Sequence, residues 1–139
     1  MADVHSSEKR SYNMSRIKGA NTKPEVIVRK FLFGQGYRFR LHSKKLPGKP
    51  DIVLPKYKTV IMINGCFWHG HINCKYFVVP KTRSDWWLDK INNNISRDAY
   101  VEKSLNQLGW KVIKIWECQL KTEKLQETLK SIVHRLVQN

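Results

Sequence analysis

The stretch that decides the fold, residues 50–65, reads Pro-Asp-Ile-Val-Leu-Pro-Lys-Tyr-Lys-Thr-Val-Ile-Met-Ile-Asn-Gly. It contains two apolar runs, at residues 52–54 and 60–63, separated by a basic turn at residues 55–58. Short apolar runs bounded by turn residues are typical of buried strands, so we predict two adjacent, central strands here. Asp51 opens the first of them.

Helical and strand patterns surround this pair of strands. Apolar residues at helical spacing, bounded by capping residues and glycines, predict helices over residues 22–35, 84–108 and 122–137. Alternating or continuous apolar residues predict two further strands, over residues 37–42 and 111–116. The resulting order of elements indicates the α/β class, with a mixed central β-sheet flanked by helices.

Two of the predicted helices begin with capping signals. Thr22 and Glu25 fit a capping box, in which each side chain would hydrogen-bond the backbone of the other residue. Ser84 is placed to cap the long second helix. Asp98 lies close to the apolar stripe of that helix, so it is either a solvated flank residue or the partner of an imidazole.

The charge balance points to a polyanionic partner. The chain has 139 residues, and its 26 Lys and Arg against 11 Asp and Glu give a formal net charge of +15. The basic residues are scattered, and no apolar run approaches the ~18 residues of a membrane span. We therefore expect nucleic acid and not a membrane as the partner.

Length and composition suggest one domain with a basic arm. We expect a single domain over residues 21–139 and an N-terminal arm over residues 1–20. The arm either orders on its partner or is a plain disordered terminus. Three cysteines cannot all pair with one another, and the start of the chain has no apolar signal core, so we expect a cytoplasmic protein.

Cysteine and histidine concentrate in one short segment. Residues 66–74 read Cys-Phe-Trp-His-Gly-His-Ile-Asn-Cys, and the third cysteine is Cys118. Zn²⁺ favours four nitrogen or sulfur ligands in a tetrahedron, which the three cysteines and one of His69 or His71 would supply. The other histidine would then be left for acid–base chemistry. The alternative is a set of ordinary buried thiols and loop histidines.

A carboxylate and an aromatic group add to this segment. Pro50-Asp51 at the start of a strand resembles the core of the PD-(D/E)xK nucleases, where carboxylates hold Mg²⁺ against a phosphate. Pro-Asp is also a common turn dipeptide. The aromatic residues beside the cysteines either pack in the core or insert between bases. They are Phe67, Trp68, Trp86 and Trp87.

Several motifs together resemble one nuclease family. They are Gly-Cys-Phe-Trp-His-Gly-His at residues 65–71, Leu-Pro-Gly-Lys-Pro-Asp at residues 46–51 and Trp-Glu-Cys at residues 116–118. With further matches they extend over residues 8–135. The chain resembles the very-short-patch repair (Vsr) endonucleases, which implies a restriction-endonuclease-like core with a structural zinc loop.

The resemblance implies a reaction and its catalytic residues. Members of the family are Mg²⁺-dependent nickases that cut 5′ to the thymine of T:G mispairs left by deamination of 5-methylcytosine. By position, Asp51 would bind the catalytic Mg²⁺ and Glu25 would hold metal-bound waters. His69 would be the general base, oriented by Asp98. The family also implies action as a monomer on double-stranded DNA, with mismatch-repair proteins and a companion cytosine methyltransferase as further partners.

The resemblance also implies the zinc ligands and the DNA contacts. The structural Zn²⁺ would be held by Cys66, His71, Cys74 and Cys118. The side chains inserted beside the mispair would be Phe67, Trp68 and Trp87 from one groove and Met14 of the arm from the other. Arg16 and Lys18 would add arm contacts to the DNA.

One position departs from the family pattern. The site next to the scissile phosphate carries His or Asp in the family, whereas this chain has Asn64. Asn forms hydrogen bonds but carries no charge. Asn64 therefore marks either a natural variant with a weaker site or an inactivating substitution. Two alternatives to a mispair nickase follow: a zinc-stabilised DNA-binding module without catalysis, and a related nuclease of other specificity.

Overall fold

The computed structural model describes residues 22–138, which form three α-helices, four β-strands and two short 3₁₀ turns. In chain order the helices and strands are α1 (Lys23–Gly34), β1 (Arg40–Leu41), β2 (Ile52–Leu54), β3 (Thr59–Asn64), α2 (Ser84–Gln107), β4 (Lys111–Trp116) and α3 (Leu125–Val137). The predicted α/β class is confirmed. No helix of this part of the chain has the length and apolar character needed to cross a membrane.

The four strands form one mixed sheet in the order β1-β2-β3-β4. The β1/β2 and β2/β3 pairs are antiparallel, whereas β3 and β4 run parallel, with Thr59 opposite Lys111 and Asn64 opposite Trp116. A parallel pair requires a long crossover, and α2 lies within it. The prediction of β2 and β3 as central strands is confirmed.

Helices cover both faces of the sheet. On one face, buried side chains of α1 and α3 pack against Ile52, Ile61 and Ile113. On the other face, Val101 and Leu105 of α2 pack against Val53 and Val60. Because successive strand residues point to opposite faces, a strand buried on both sides must be continuously apolar, as β2 is.

The capping predictions were wrong at both helices. Thr22 occupies the N-cap position of α1 without a side-chain cap hydrogen bond, and Glu25 turns instead towards Arg29 and His42. Ser84 is the first residue of α2, whose N-cap is Arg83, again without a side-chain cap bond. The Glu25 carboxylate therefore bonds a residue one helical turn away and a residue of the β1 end in place of the helix N-terminus.

The strand predicted over residues 37–42 is much shorter than expected. Only Arg40 and Leu41 pair with β2, which is three residues long and begins at Ile52. Pro50, two residues earlier, has no N–H to donate to a longer ladder. The chain then leaves the extended conformation at His42, whose φ is 47°. Helix α3 also begins later than predicted, at Leu125.

Candidate active site and metal cluster

Asp51 lies where the chain enters β2, directly across from β3. Its Oδ2 accepts a hydrogen bond of 2.8 Å from the Ile63 N–H. Burial, with a smaller contribution from the nearby Glu25 carboxylate, raises the pKa of Asp51 to about 6 against the lowering effect of that hydrogen bond. The protein therefore holds this carboxylate at a free-energy cost that a bound cation would offset.

Glu25 and His42 stand beside Asp51. Glu25 is only 1% exposed, and its two carboxylate oxygens pair with Arg29 Nη1 at 3.1 Å and with His42 Nε2 at 2.8 Å. The backbone N–H of His42 donates to the Asp51 carbonyl. One ligand atom from each of Glu25, His42 and Asp51 lies within 4.8 Å of the others. Two carboxylates and an imidazole make a donor set suited to a divalent cation.

His69 and Asp98 form the second polar pair of the site. His69 Nδ1 is 2.5 Å from Asp98 Oδ2 on α2. This contact fixes the direction of the ring, and Nε2 is the ring nitrogen that takes no part in it. Gly70 has a φ of +62°, and a Cβ there would lie 2.7 Å from Ile95 Cδ1. Glycine therefore lets this loop lie against α2 without strain and bring His69 to Asp98.

A single cleft of about 440 Å³ joins Asp51 to the His69–Asp98 pair. Its lining also includes Asn64 but neither Glu25 nor His42. Asn64 is the last residue of β3 and is 4% exposed, so an uncharged residue lies on the same wall as the carboxylates of Asp51 and Asp98. Arg97 of α2 also borders the cleft and adds a positive charge.

The three cysteines and His71 form a separate cluster beyond the end of β3. One ligand atom of each residue lies within 4.8 Å of the others. His71 Nδ1 is 3.5 Å from Cys118 Sγ, close to the edge of about 3.5 Å expected in a tetrahedral zinc site with one nitrogen and one sulfur at those corners. Residues 66, 71, 74 and 118 therefore fit a zinc ion.

The surroundings prepare the cluster for ligation. The His71 ring stacks on Trp116 at 4.1 Å between centroids and 6° between planes, which fixes its direction. Burial, with the charge of Lys124, lowers the pKa of His71 and favours the neutral ring that a metal needs. Burial raises the pKa of the Cys66 thiol to about 12, so a bound cation is required to hold this sulfur as a thiolate.

Aromatic side chains form an edge-to-face cluster beside the cleft. Phe67 contacts both Trp68 and Trp87, with ring centroids 5.3 and 5.5 Å apart. Trp86 joins the cluster through Trp87 at 4.7 Å. Trp68 and Trp86 are 39% and 46% exposed, and the guanidinium of Arg83 lies over the Trp86 ring. These rings therefore form a basic, partly exposed aromatic surface.

The structure brings most of the predicted site residues together. Asp51 lies near Glu25, His69 lies on Asp98, and the four predicted zinc ligands form one cluster. Three predicted DNA contacts, Met14, Arg16 and Lys18, lie outside the described residues. The predicted site residues do not include His42, because no motif or spacing in the sequence marks it.

Comparisons with known proteins identify the family of this chain. The family model described as "DNA mismatch endonuclease Vsr" matches residues 2–75. The chain is 49% identical to the type II nicking enzyme V.NmeAIP of Neisseria meningitidis over 98% of this chain and 97% of that protein. It is 45% identical to the DNA mismatch endonuclease Vsr of Escherichia coli, over 91% of this chain and 81% of that protein. The chain therefore belongs to the Vsr family of DNA mismatch endonucleases and is itself a DNA endonuclease.

Proposed function

We propose that this endonuclease nicks double-stranded DNA 5′ to the thymine of a T:G mispair and depends on Mg²⁺. The observation that carries the proposal is the single cleft that joins Asp51 to the His69–Asp98 pair beside an exposed aromatic cluster. The names of two relatives, a mismatch endonuclease and a nicking enzyme, support the reaction class.

Asp51 and Glu25 are the proposed oxygen donors to Mg²⁺, a hard cation that prefers carboxylate and water ligands. When bound, the ion would polarise the scissile phosphate and lower the pKa of a water. Asp51 would ligate it directly, and Glu25 would hold its waters. The raised pKa of Asp51 supports this role, because a cation is the natural partner of a carboxylate that burial has destabilised.

His69 is the proposed general base. With Nδ1–H donated to Asp98, Nε2 keeps its lone pair and is able to accept a proton from the attacking water. Asp98 is then a positioning residue, since it holds the tautomer and the ring direction without touching the phosphate. Asn64 would hydrogen-bond near the scissile phosphate without adding charge, which predicts slower cutting than a site with His or Asp at this position.

The aromatic cluster and the arm are the proposed DNA-reading elements. Phe67, Trp68 and Trp87 would insert beside the mispair, where unstacking costs less than at a matched step, by a few kcal/mol at most. Met14, Arg16 and Lys18 of an arm over residues 1–20 would approach from the other groove. The net charge of +15 supports strong phosphate contact by a domain over residues 21–139.

The zinc ligand set proposed for this chain is the cluster of three cysteines and His71, in a structural role. A closed set of four protein ligands leaves no open position for substrate. The monomer is the proposed working form. Mismatch-repair proteins and a companion cytosine methyltransferase are the proposed partners besides DNA.

The test is strand cleavage on a labelled duplex with one T:G mispair in a methyltransferase-type site. Lanes with a matched duplex, with EDTA and without metal accompany it. We expect Mg²⁺-dependent nicking on the 5′ side of the mispaired thymine only. Equal cutting of the matched duplex would replace this proposal with a nuclease of other specificity, and tight binding without nicking would assign the defect to Asn64.

A further inference from the structure

His42 faces the proposed magnesium site from the end of β1. Its side chain is 17% exposed, and its Nε2 lies 2.8 Å from Glu25 Oε1. The ring is held there by the chain itself, since the His42 N–H bonds the Asp51 carbonyl and the residue has a φ of 47°. This conformation is uncommon for a residue with a side chain, so the position of His42 is strongly constrained by its surroundings.

The spacing of the three donor atoms matches the first coordination shell of a small divalent ion. Two neighbouring ligands at ~2.1 Å from an octahedral ion lie about 3 Å apart, and two opposite ligands about 4.2 Å apart. The His42–Glu25 separation of 2.8 Å is close to the first value. All three donor atoms lie within 4.8 Å of one another, so only a small side-chain movement would bring them to these ligand separations.

The charges around the site also suit a neutral imidazole beside a dication. Glu25 and Asp51 bring two carboxylates, and the guanidinium of Arg29 already pairs with one Glu25 oxygen. The 2.8 Å contact between His42 Nε2 and Glu25 Oε1 has the length of a hydrogen bond, and a divalent ion that takes both atoms as neighbouring ligands would replace the shared proton. A divalent ion there would be shared by all three donors.

We propose that His42 Nε2 is a direct ligand of the divalent ion held by Asp51 and Glu25, and that it favours a transition-metal ion over Mg²⁺. An imidazole nitrogen suits transition ions better than it suits Mg²⁺, which prefers oxygen and keeps its waters. The inference rests on the proposed function, since it names a further ligand of the same site. It predicts a site that binds Mn²⁺, an early member of that series, more tightly than an all-oxygen site would.

The experiment measures Mn²⁺ binding to the full-length, zinc-loaded protein by electron paramagnetic resonance, with Mg²⁺ as competitor. His42→Gln is the test variant, because glutamine keeps a polar contact to Glu25 but offers no imidazole nitrogen. His134→Gln, at an exposed position on α3, is the matched control. In the wild type and the control, we expect the electron paramagnetic resonance signal of bound Mn²⁺ to show modulation by a coordinated nitrogen. In His42→Gln we expect this nitrogen modulation to be lost and the preference for Mn²⁺ over Mg²⁺ to fall about tenfold.

Absence of nitrogen modulation in the wild type, or its persistence in His42→Gln, would overturn the inference. The wild-type spectrum decides the matter even if the variant does not fold. Asp51→Asn separates this failure from failure of the proposed function. Loss of Mn²⁺ binding in Asp51→Asn with unaltered binding in His42→Gln would exclude only His42 as a ligand. Unaltered binding in Asp51→Asn would exclude the proposed metal site itself.

Discussion

His69 and His71 are two residues apart on one loop, yet they belong to regions with opposite designs. His71 lies in a cluster whose four donors face one another and whose ring is held by a stack on Trp116. His69 lies on the wall of an open cleft, with one ring nitrogen bound to Asp98. The comparison teaches that two identical side chains on one loop take different partners, and that a closed donor set next to an open cleft keeps the proposed structural role of His71 apart from the proposed catalytic role of His69.

The largest effect is expected in the cluster of three cysteines and His71, the region with the closed set of donors. Cys66→Ser removes a buried thiol from the proposed zinc site, and a structural zinc contributes its binding free energy, about 10 kcal/mol or more in small zinc domains, to folding. We expect loss of bound zinc and a broad, non-cooperative thermal unfolding. Zinc content by mass spectrometry and circular dichroism melting measure this. Ser131→Ala, at an exposed position on α3, is the control, and an unaltered melt of zinc-free Cys66→Ser would contradict the structural role.

In the open cleft, a substitution of His69 is expected to lower the nicking rate without unfolding the protein. His69→Gln should lower the single-turnover nicking rate by about 10²–10⁴-fold, because general-base catalysis contributes that much. Zinc content and melting temperature should stay those of the wild type. His134→Gln again serves as the control. A His69→Gln protein that loses its zinc would assign His69 to the metal cluster and erase the distinction between the two regions.

The pH dependence of the free energy of unfolding tests the open cleft further, because Asp51 has a raised pKa. Its folded pKa of about 6 lies above the ordinary value of 3.8. Well below pH 3.8 the carboxyl is protonated in both the folded and the unfolded state. As the pH rises from 3.8 to about 6, the carboxyl is ionised mainly in the unfolded state. This group therefore lowers the free energy of unfolding across that window, by at most about 3 kcal/mol, and no further above it.

Asp51→Asn should therefore be more stable than the wild type at pH 7.5 without added Mg²⁺, and the gain should shrink towards pH 4. Urea unfolding at several pH values measures the difference. Added Mg²⁺ should stabilise the wild type and not the variant. A gain that is constant with pH would show that the buried charge of Asp51 is not its cause.

The smallest expected effect lies at Asn64, on the wall of the cleft. Asn64→His introduces a side chain that can carry charge and share protons beside the scissile phosphate. We expect nicking to rise about tenfold, the gain of one charge-assisted contact in a site that already has the proposed base and the proposed metal ligands. Single-turnover rates on the T:G duplex provide the measurement. No gain from either Asn64→His or Asn64→Asp would contradict the view that Asn64 weakens the site.

Much of the sheet was predictable, because its signals are local. The continuous apolar runs of β2 and β3 can be buried only between two layers, and the family motifs that flank them are contiguous in the chain. The start of α1 agreed with the prediction, but the short β1 and the orientation of Glu25 were not predictable in the same way. Pairing length at Arg40 depends on the length of β2, and the orientation of Glu25 depends on His42, which lies 17 residues away.

By itself, the sequence determined the α/β class, the family and the inventory of zinc-type donors, since these depend on composition and short-range spacing. Residue spacing left open which histidine joins the cysteines, and it did not indicate His42 at all. The tertiary structure decided both. Gly70 allows the loop to lie against α2, where Asp98 takes His69, while β4 brings Trp116 and Cys118 to His71. Contacts between residues distant in the chain assign a role to each ring, and no local pattern encodes them.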